Sequence, residues 1–168
     1  MKRIAVFTIA LTCLVGAADF VHAATATSTL TVSATVPEAC TISTNSVLSF
    51  GVLPSFPSFS NASGDVTVNC APGTAWTVTL NRGAAPVGTT RAMLLGGVSV
   101  VNYELYKDAG LTQVWGDNGF AATYPFGTGV VGNAAGMPQT TVIFGRAQAI
   151  ASAPPGNYTD IVVATVNF

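Results

Sequence analysis

Histidine is nearly absent from this sequence. The one residue of the kind, His22, sits in an N-terminal run that reads as a cleaved leader. The mature chain is therefore expected to carry no imidazole. That excludes nucleophilic catalysis by a Ser-His-Asp or Cys-His set, and with it His-ligated zinc, iron or copper. Charge is scarce too, at 8 % of residues against 49 % hydrophobic ones. Beyond the leader the cations are Arg82, Arg91, Lys107 and Arg146, scattered along the chain. They cannot neutralise a row of phosphates, so nucleic acid is not an expected partner. No Gly-rich phosphate loop with its lysine occurs, and no segment carries an apolar period of 3.6. Low charge does not here mean disorder, which needs low hydrophobicity and high net charge. The polar share is Ser, Thr, Asn and Gln, set among Gly and β-branched residues, the composition of a compact β protein.

The leader follows a fixed order: the basic head Met1-Lys2-Arg3, an apolar run from Ile4 to Ala18, then Val21-His22-Ala23. This is the pattern of a secretory signal peptide cleaved between Ala23 and Ala24. The apolar run is too short for a permanent span. Cys13 lies inside it, follows Thr12, and leaves with it. About 145 residues remain, enough for one domain with a real core. Cys40 and Cys70 are the cysteines left. In an oxidising export compartment such a pair bonds to itself, and a metal site would lack further His or Cys ligands.

Period-two alternation supplies the fold class. In residues 29 to 36 Leu30, Val32, Ala34 and Val36 share one face, with Thr29, Thr31, Ser33 and Thr35 on the other, before Pro37 and Glu38 stop the run. Further strands are expected at Asp65 to Cys70, Thr74 to Asn81, around Val101 to Tyr106, Thr141 to Ile150 and Asn157 to Phe168. Turn residues separate them, among them Pro72-Gly73, Asp108-Ala109-Gly110 and Asp117-Asn118-Gly119. Gly116 to Gln139 reads as a long connection with room for a short strand. Some seven short strands so punctuated predict an all-β, two-sheet sandwich of immunoglobulin-like kind. The run Ile161 to Val166 is apolar on both faces and is expected to be buried in its sheet.

Candidate chemistry is thin. Glu104, Asp108 and Asp117 form the one acidic neighbourhood, a conceivable carboxylate pair or calcium site. Asp108 and Asp117 each precede turn residues, where an Asp holds the turn, so enzyme activity, metal and cofactor are not expected. Phe56 and Phe59 flank Pro57 in a stretch that cannot be a central strand. Exposed, they would make an adhesive surface. The expectation is that both rings fold back over the end of the sandwich. Trp76 lies on the apolar face of its strand, while Trp115 is the better candidate for a sugar-stacking platform. Asn61-Ala62-Ser63 and Asn157-Tyr158-Thr159 fit a glycosylation pattern too short to carry weight.

Several segments, in this order and spacing, carry a resemblance. They are Glu38-Ala39-Cys40-Thr41-Ile42, Val68-Asn69-Cys70, the stretch Tyr103 to Gly110, Val114-Trp115-Gly116-Asp117, Phe144-Gly145-Arg146, and Pro155 to Asp160 before an ending at Phe168. Across nearly the whole mature chain the sequence resembles the spore coat U domain family, the subunits of archaic chaperone–usher pili. The resemblance implies a sandwich lacking its last strand and completed by a donor strand from a neighbouring subunit, after a periplasmic chaperone has filled the gap and handed the subunit to an outer-membrane usher. It implies residues 1–23 as leader, 24–37 as donor segment and 38–168 as pilin domain. Leu30, Val32, Ala34 and Val36 would be the donor side chains, although Ala34 is small for a pocket. Tyr158, Ile161, Val163, Thr165 and Phe168 would belong to the groove-edge strand that the chaperone recognises. The implied function is a structural pilus subunit at the cell surface, serving adhesion or biofilm formation. A head-to-tail interface of that kind is heterologous and builds a filament. An ordinary first strand of a complete sandwich stays open for residues 29 to 36, because alternation alone does not separate the two. An exported coat or matrix protein, or a secreted carbohydrate-binding sandwich, are the competing functions.

Overall fold

The computed structural model describes residues 24–54, 56–118 and 127–168; the expected leader and the aromatics Phe120, Tyr124 and Phe126 lie outside them. The chain divides into a short N-terminal unit, Met1–Thr35, and a second unit, Val36–Phe168. The second unit holds eight strands among the described residues: β1 Cys40–Thr44, β2 Phe59–Cys70, β3 Ala75–Leu80, β4 Arg91–Leu95, β5 Ser99–Tyr106, β6 Val130–Asn133, β7 Gln139–Gln148 and β8 Ala164–Asn167. They form two antiparallel sheets, one ordered β1-β2-β7-β5-β4 and the other β6-β3-β8. No described residue is helical. This is the immunoglobulin-like two-sheet sandwich that the alternation predicts.

Inward alternation fills the space between the sheets. Val66, Val68 and Cys70 from β2 meet Trp76, Val78 and Leu80 from β3 and Val101, Tyr103 and Leu105 from β5, all buried. Trp76 donates its indole N–H to Gln139 Oε1 at 3.0 Å. Trp115 is fully buried and donates to the Val78 carbonyl at 2.9 Å, tying the long connection to the core of the second sheet. Both indoles are therefore core pillars, and neither offers a face to a sugar.

Two elements depart from expectation, β4 and the segment that ends in β8. β4 has no period-two alternation to announce it: Arg91 and Ala92 are both buried, and the Arg91 guanidinium donates to the carbonyls of Leu80, Asn81 and Trp115 and pairs with Glu104. A polar network inside the sandwich replaces the apolar signal there. β6 is the short strand within the Gly-rich connection. The apolar run Ile161 to Val166 is not buried throughout: β8 is an edge strand, Val162, Ala164 and Val166 pack on the core, and Ile161 and Val163 are exposed. A strand with one neighbour and one packed face can bury only half of its side chains.

Candidate functional site: an open seam

β1 and β8 are edge strands of opposite sheets, and they approach one another along one side of the sandwich. Their directions follow from register. Cys40 lies opposite Cys70 and β1 runs from there towards Thr44. β8 ends beside Thr77, near the start of β3. β1 thus leads away from the disulfide end of the fold, and β8 returns to it.

Along this seam the core-facing side chains are only half covered. From β1 come Cys40 and Ile42, and from β8 and the residues leading into it Val162, Ala164 and Val166; Leu48 and Phe50, half-buried as well, lie over Gly145 of β7. The inward residues of β2, β3 and β5 are buried by comparison. An apolar row with an adjacent free strand edge is the kind of surface that a further strand completes, with backbone bonds setting register and alternate side chains entering pockets.

The walls of the seam are held by specific groups. The Cys40–Cys70 disulfide staples β1 to the long central strand β2, across a sequence separation of 30. On the other wall, Asp160 accepts from the Tyr103 hydroxyl at 2.6 Å and from the amides of Ala84 and Ile161 at 2.8 Å. Burial, then the Asp160 carboxylate, push the Tyr103 phenol far above its ordinary value, so it stays a proton donor. Gly83, at φ 89°, lies so close to that carboxylate that a Cβ there would collide with it. Asn81 Oδ1 accepts from the amides of Gly83 and Val163 at 3.0 and 2.9 Å. Residues 160–163 are fixed largely by side chains, with one backbone bond from the Asn81 amide to the Val163 carbonyl at 3.1 Å. Just before them, Thr159 bridges to Leu94 of the other sheet.

The residues singled out in the sequence fall in different places. Leu30, Val32 and Val36 are 87 %, 85 % and 84 % exposed, and residues 24–39 form no strand. Tyr158 is half-buried and donates to the Pro154 carbonyl at 2.8 Å. Ile161, Val163 and Thr165 lie on the exposed face, and Phe168, just past the end of β8, is exposed too. The core-facing set Val162, Ala164 and Val166 was not singled out, because both parities of this run are apolar. The cross-strand pairs Val78↔Val166 and Leu80↔Ala164 decide the parity.

The acidic neighbourhood does not converge. Asp108 accepts from the amides of Thr112 and Gln113 and from the Thr112 hydroxyl, which holds its carboxyl below the ordinary value, Gln113 contributing most. Glu104 pairs with Arg91. Asp117 is buried, which an Asp that merely opens an exposed turn would not be. Among the described residues no three His, Cys, Asp or Glu side chains are grouped to hold a metal. Phe56 and Phe59 do not fold back: they are 54 % and 55 % exposed, with the Arg146 guanidinium 5.2 Å above the Phe59 ring. The cation takes the ring's free face, and the proline turn before β2 directs Phe56 outwards.

Comparison with known proteins adds a family and a fold. The Spore Coat Protein U domain matches residues 26–165. Protein U of Myxococcus xanthus is 29 % identical over 165 residues, covering 88 % of this chain and 87 % of its own. Among solved structures, a chain in the CsuC–CsuE chaperone–tip adhesion subunit pre-assembly complex, from the archaic chaperone–usher Csu pili of Acinetobacter baumannii, superposes with a TM-score of 0.53. That match has 23 % identity and covers 80 % of the present chain but only 40 % of the solved one.

Proposed function

The chain belongs to the Spore Coat Protein U domain family, and on that premise we propose that it is a structural subunit of a surface filament assembled by donor-strand exchange. One observation carries the reading: the half-buried apolar row along the β1–β8 seam, beside a free strand edge. Leu30, Val32, Ala34 and Val36 of another copy complete it. Four alternate side chains span about 20 Å of extended chain, the same residue spacing as Asp160 to Val166 on the wall. Residues 1–23 act as leader, 24–37 as donor segment and 38–168 as pilin domain. Before assembly a periplasmic chaperone covers the seam, using the β8 edge, and an outer-membrane usher exchanges it for the donor. The superposition with a chain of a chaperone–subunit complex supports a chaperone partner, and the disulfide supports an exported product. The role is mechanical rather than enzymatic.

A peptide covering Ala24 to Pro37 tests this directly. Added to a protein lacking Ala24 to Val36, it should raise the thermal midpoint with concentration, adding about 2.7 kcal/mol of stability at a hundred times its dissociation constant. The Val32→Asp peptide should not, since it places a charge in an apolar pocket. Equal behaviour of the two peptides would refute donor exchange.

The family description itself favours a second reading, deposition in a coat or matrix. Donor exchange is shared by both, and electron micrographs of cells with and without the gene separate filaments from an amorphous layer.

A further inference from the structure

Large apolar side chains are exposed at the end of the sandwich opposite the disulfide. Register puts the start of β2, the end of β7 and the β4–β5 turn at that end, since Phe59 pairs with Gln148, Asn102 with Gln148 and Leu95 with Ser99. Phe56, Phe59, Val98 and Ile150 all lie there, exposed. Gln148 donates to the Pro57 carbonyl at 2.6 Å and holds the aromatic turn in place. Such a patch on a chain with few charges calls for a cover.

We infer that this pole is the docking surface for the disulfide pole of the next copy, so that the subunits of a filament touch end to end as well as through the donor strand. The inference rests on the donor-exchange reading and adds a second contact to it. Its occupant follows from chain length and direction. Only Pro37, Glu38 and Ala39 separate the donor's last residue, Val36, from Cys40. The four Cα steps reach at most about 14 Å. Ala39 is already tied down, its carbonyl accepting from the Ala71 amide at 2.9 Å. A donor lying in a neighbour's seam therefore brings its own disulfide pole against that neighbour.

Polarity decides which end is met. A donor whose Val36 emerged at the neighbour's disulfide pole would set two disulfide poles face to face. Each chain could then fill the other's seam, and a closed dimer would result. An open filament takes the other polarity, in which Val36 emerges at the Phe56 pole. Pro72, Met137 and Pro138 are exposed at the disulfide pole, where Gly136 packs against Pro72, and the turn after β5 places Lys107 and Asp108 towards the same end of the sheet. Glu38 would arrive on the side of Arg146, the cation already lying over Phe59.

Photo-crosslinking in filaments from cells expressing the full chain tests this. One probe, p-benzoyl-phenylalanine, replaces Phe56, and a control probe replaces Thr31 on the polar face of the donor, where pockets are not disturbed. The expected result is a ladder of linked subunits from both probes, with Phe56 joined to a neighbour's peptide containing Pro72 or Met137. Filaments of the Phe56→Ser/Phe59→Ser variant should still form but bend severalfold more easily. Capture of a neighbour from Thr31 without capture from Phe56 overturns the pole-to-pole contact and leaves donor exchange standing. So does a double variant that keeps its stiffness and loses attachment to polystyrene, which assigns the rings to a foreign surface. Capture from neither probe overturns both readings.

Discussion

The two sides of this sandwich are built from similar apolar residues and end in opposite states. On the β4–β5 side, side chains bridge one sheet to the other. Arg91 reaches three carbonyls, Trp115 donates to Val78, and the Leu80 amide donates to the Gly116 carbonyl. Among the described residues no buried side-chain polar atom lacks a partner. On the β1–β8 side the core-facing row is half exposed. Sealing a sandwich thus depends on what ties its sheets together, and less on how hydrophobic its strands are. The sealed side makes the fold; the open side, on the reading proposed above, makes the polymer.

Breaking the sealed side should have the largest effect. Arg91→Ala strips a fully buried guanidinium from Glu104 and from three carbonyls. Removing one partner of a buried ion pair costs on the order of 3–5 kcal/mol. The variant should be degraded in cells and unfold at far lower denaturant. A midpoint near wild type would mean that this network does not close the sandwich.

Next comes the staple at the root of the seam. Cys40→Ser with Cys70→Ser releases a loop of 30 residues. The chain-entropy model puts the loss at roughly 3.5–4 kcal/mol. If β1 is also a seam wall, the double-serine variant should bind the Ala24–Pro37 peptide more weakly than its lost stability alone explains. Titration calorimetry in folding conditions reads that difference.

Within the last strand the comparison sharpens to adjacent residues. Val162 packs on the core while Val163 is 52 % exposed. Val162→Asp should cost a few kcal/mol, the penalty for a poorly partnered polar group in an apolar site, and should abolish peptide binding. Val163→Asp should change stability by less than about 0.5 kcal/mol, as surface changes do. Equal losses, measured by urea denaturation, would place this segment inside a sheet, as its composition alone suggests.

Much of this was legible in the sequence, and the failures have physical causes. β2, β3, β5 and β7 alternate, and the structure follows the alternation. Cys40 and Cys70 pair as their compartment predicts. β4 was illegible because its first residue is an arginine buried by hydrogen bonds to carbonyls from distant segments. Trp115 beside Gly116-Asp117 read as a loop aromatic because nothing local reports the Val78 carbonyl that receives it. The seam was legible only as an implication of family resemblance. A half-buried row is a property of two edge strands together, and the sequence around Val162 is the same whether or not a neighbour covers it. Phe56 and Phe59 were misplaced because apolarity argues for burial, while the proline turn at Phe56 and the Arg146 cation over Phe59 favour exposure.

The smallest effect belongs to the turn after β5, far from either side's interior. Asp108 is held below its ordinary value of 3.8 by amide and hydroxyl donors, so its charged form is favoured by folding. A depressed folded pKa adds stability at pH above the unfolded value, and that stability fades as pH falls through the folded value. Asp108→Asn removes the charge and should lower the denaturation midpoint slightly at neutral pH. The gap between wild type and variant should then narrow below about pH 4, where the wild-type carboxylate itself begins to protonate. Asp65 is also depressed, by hydrogen bonds from Ser46 and then Asn45, and titrates in the same window. It is common to both proteins and cancels in the difference. Urea midpoints at pH 7 and at pH values below 4 measure the narrowing, and a gap that stays constant would show that the turn is held by its backbone and not by the Asp108 charge.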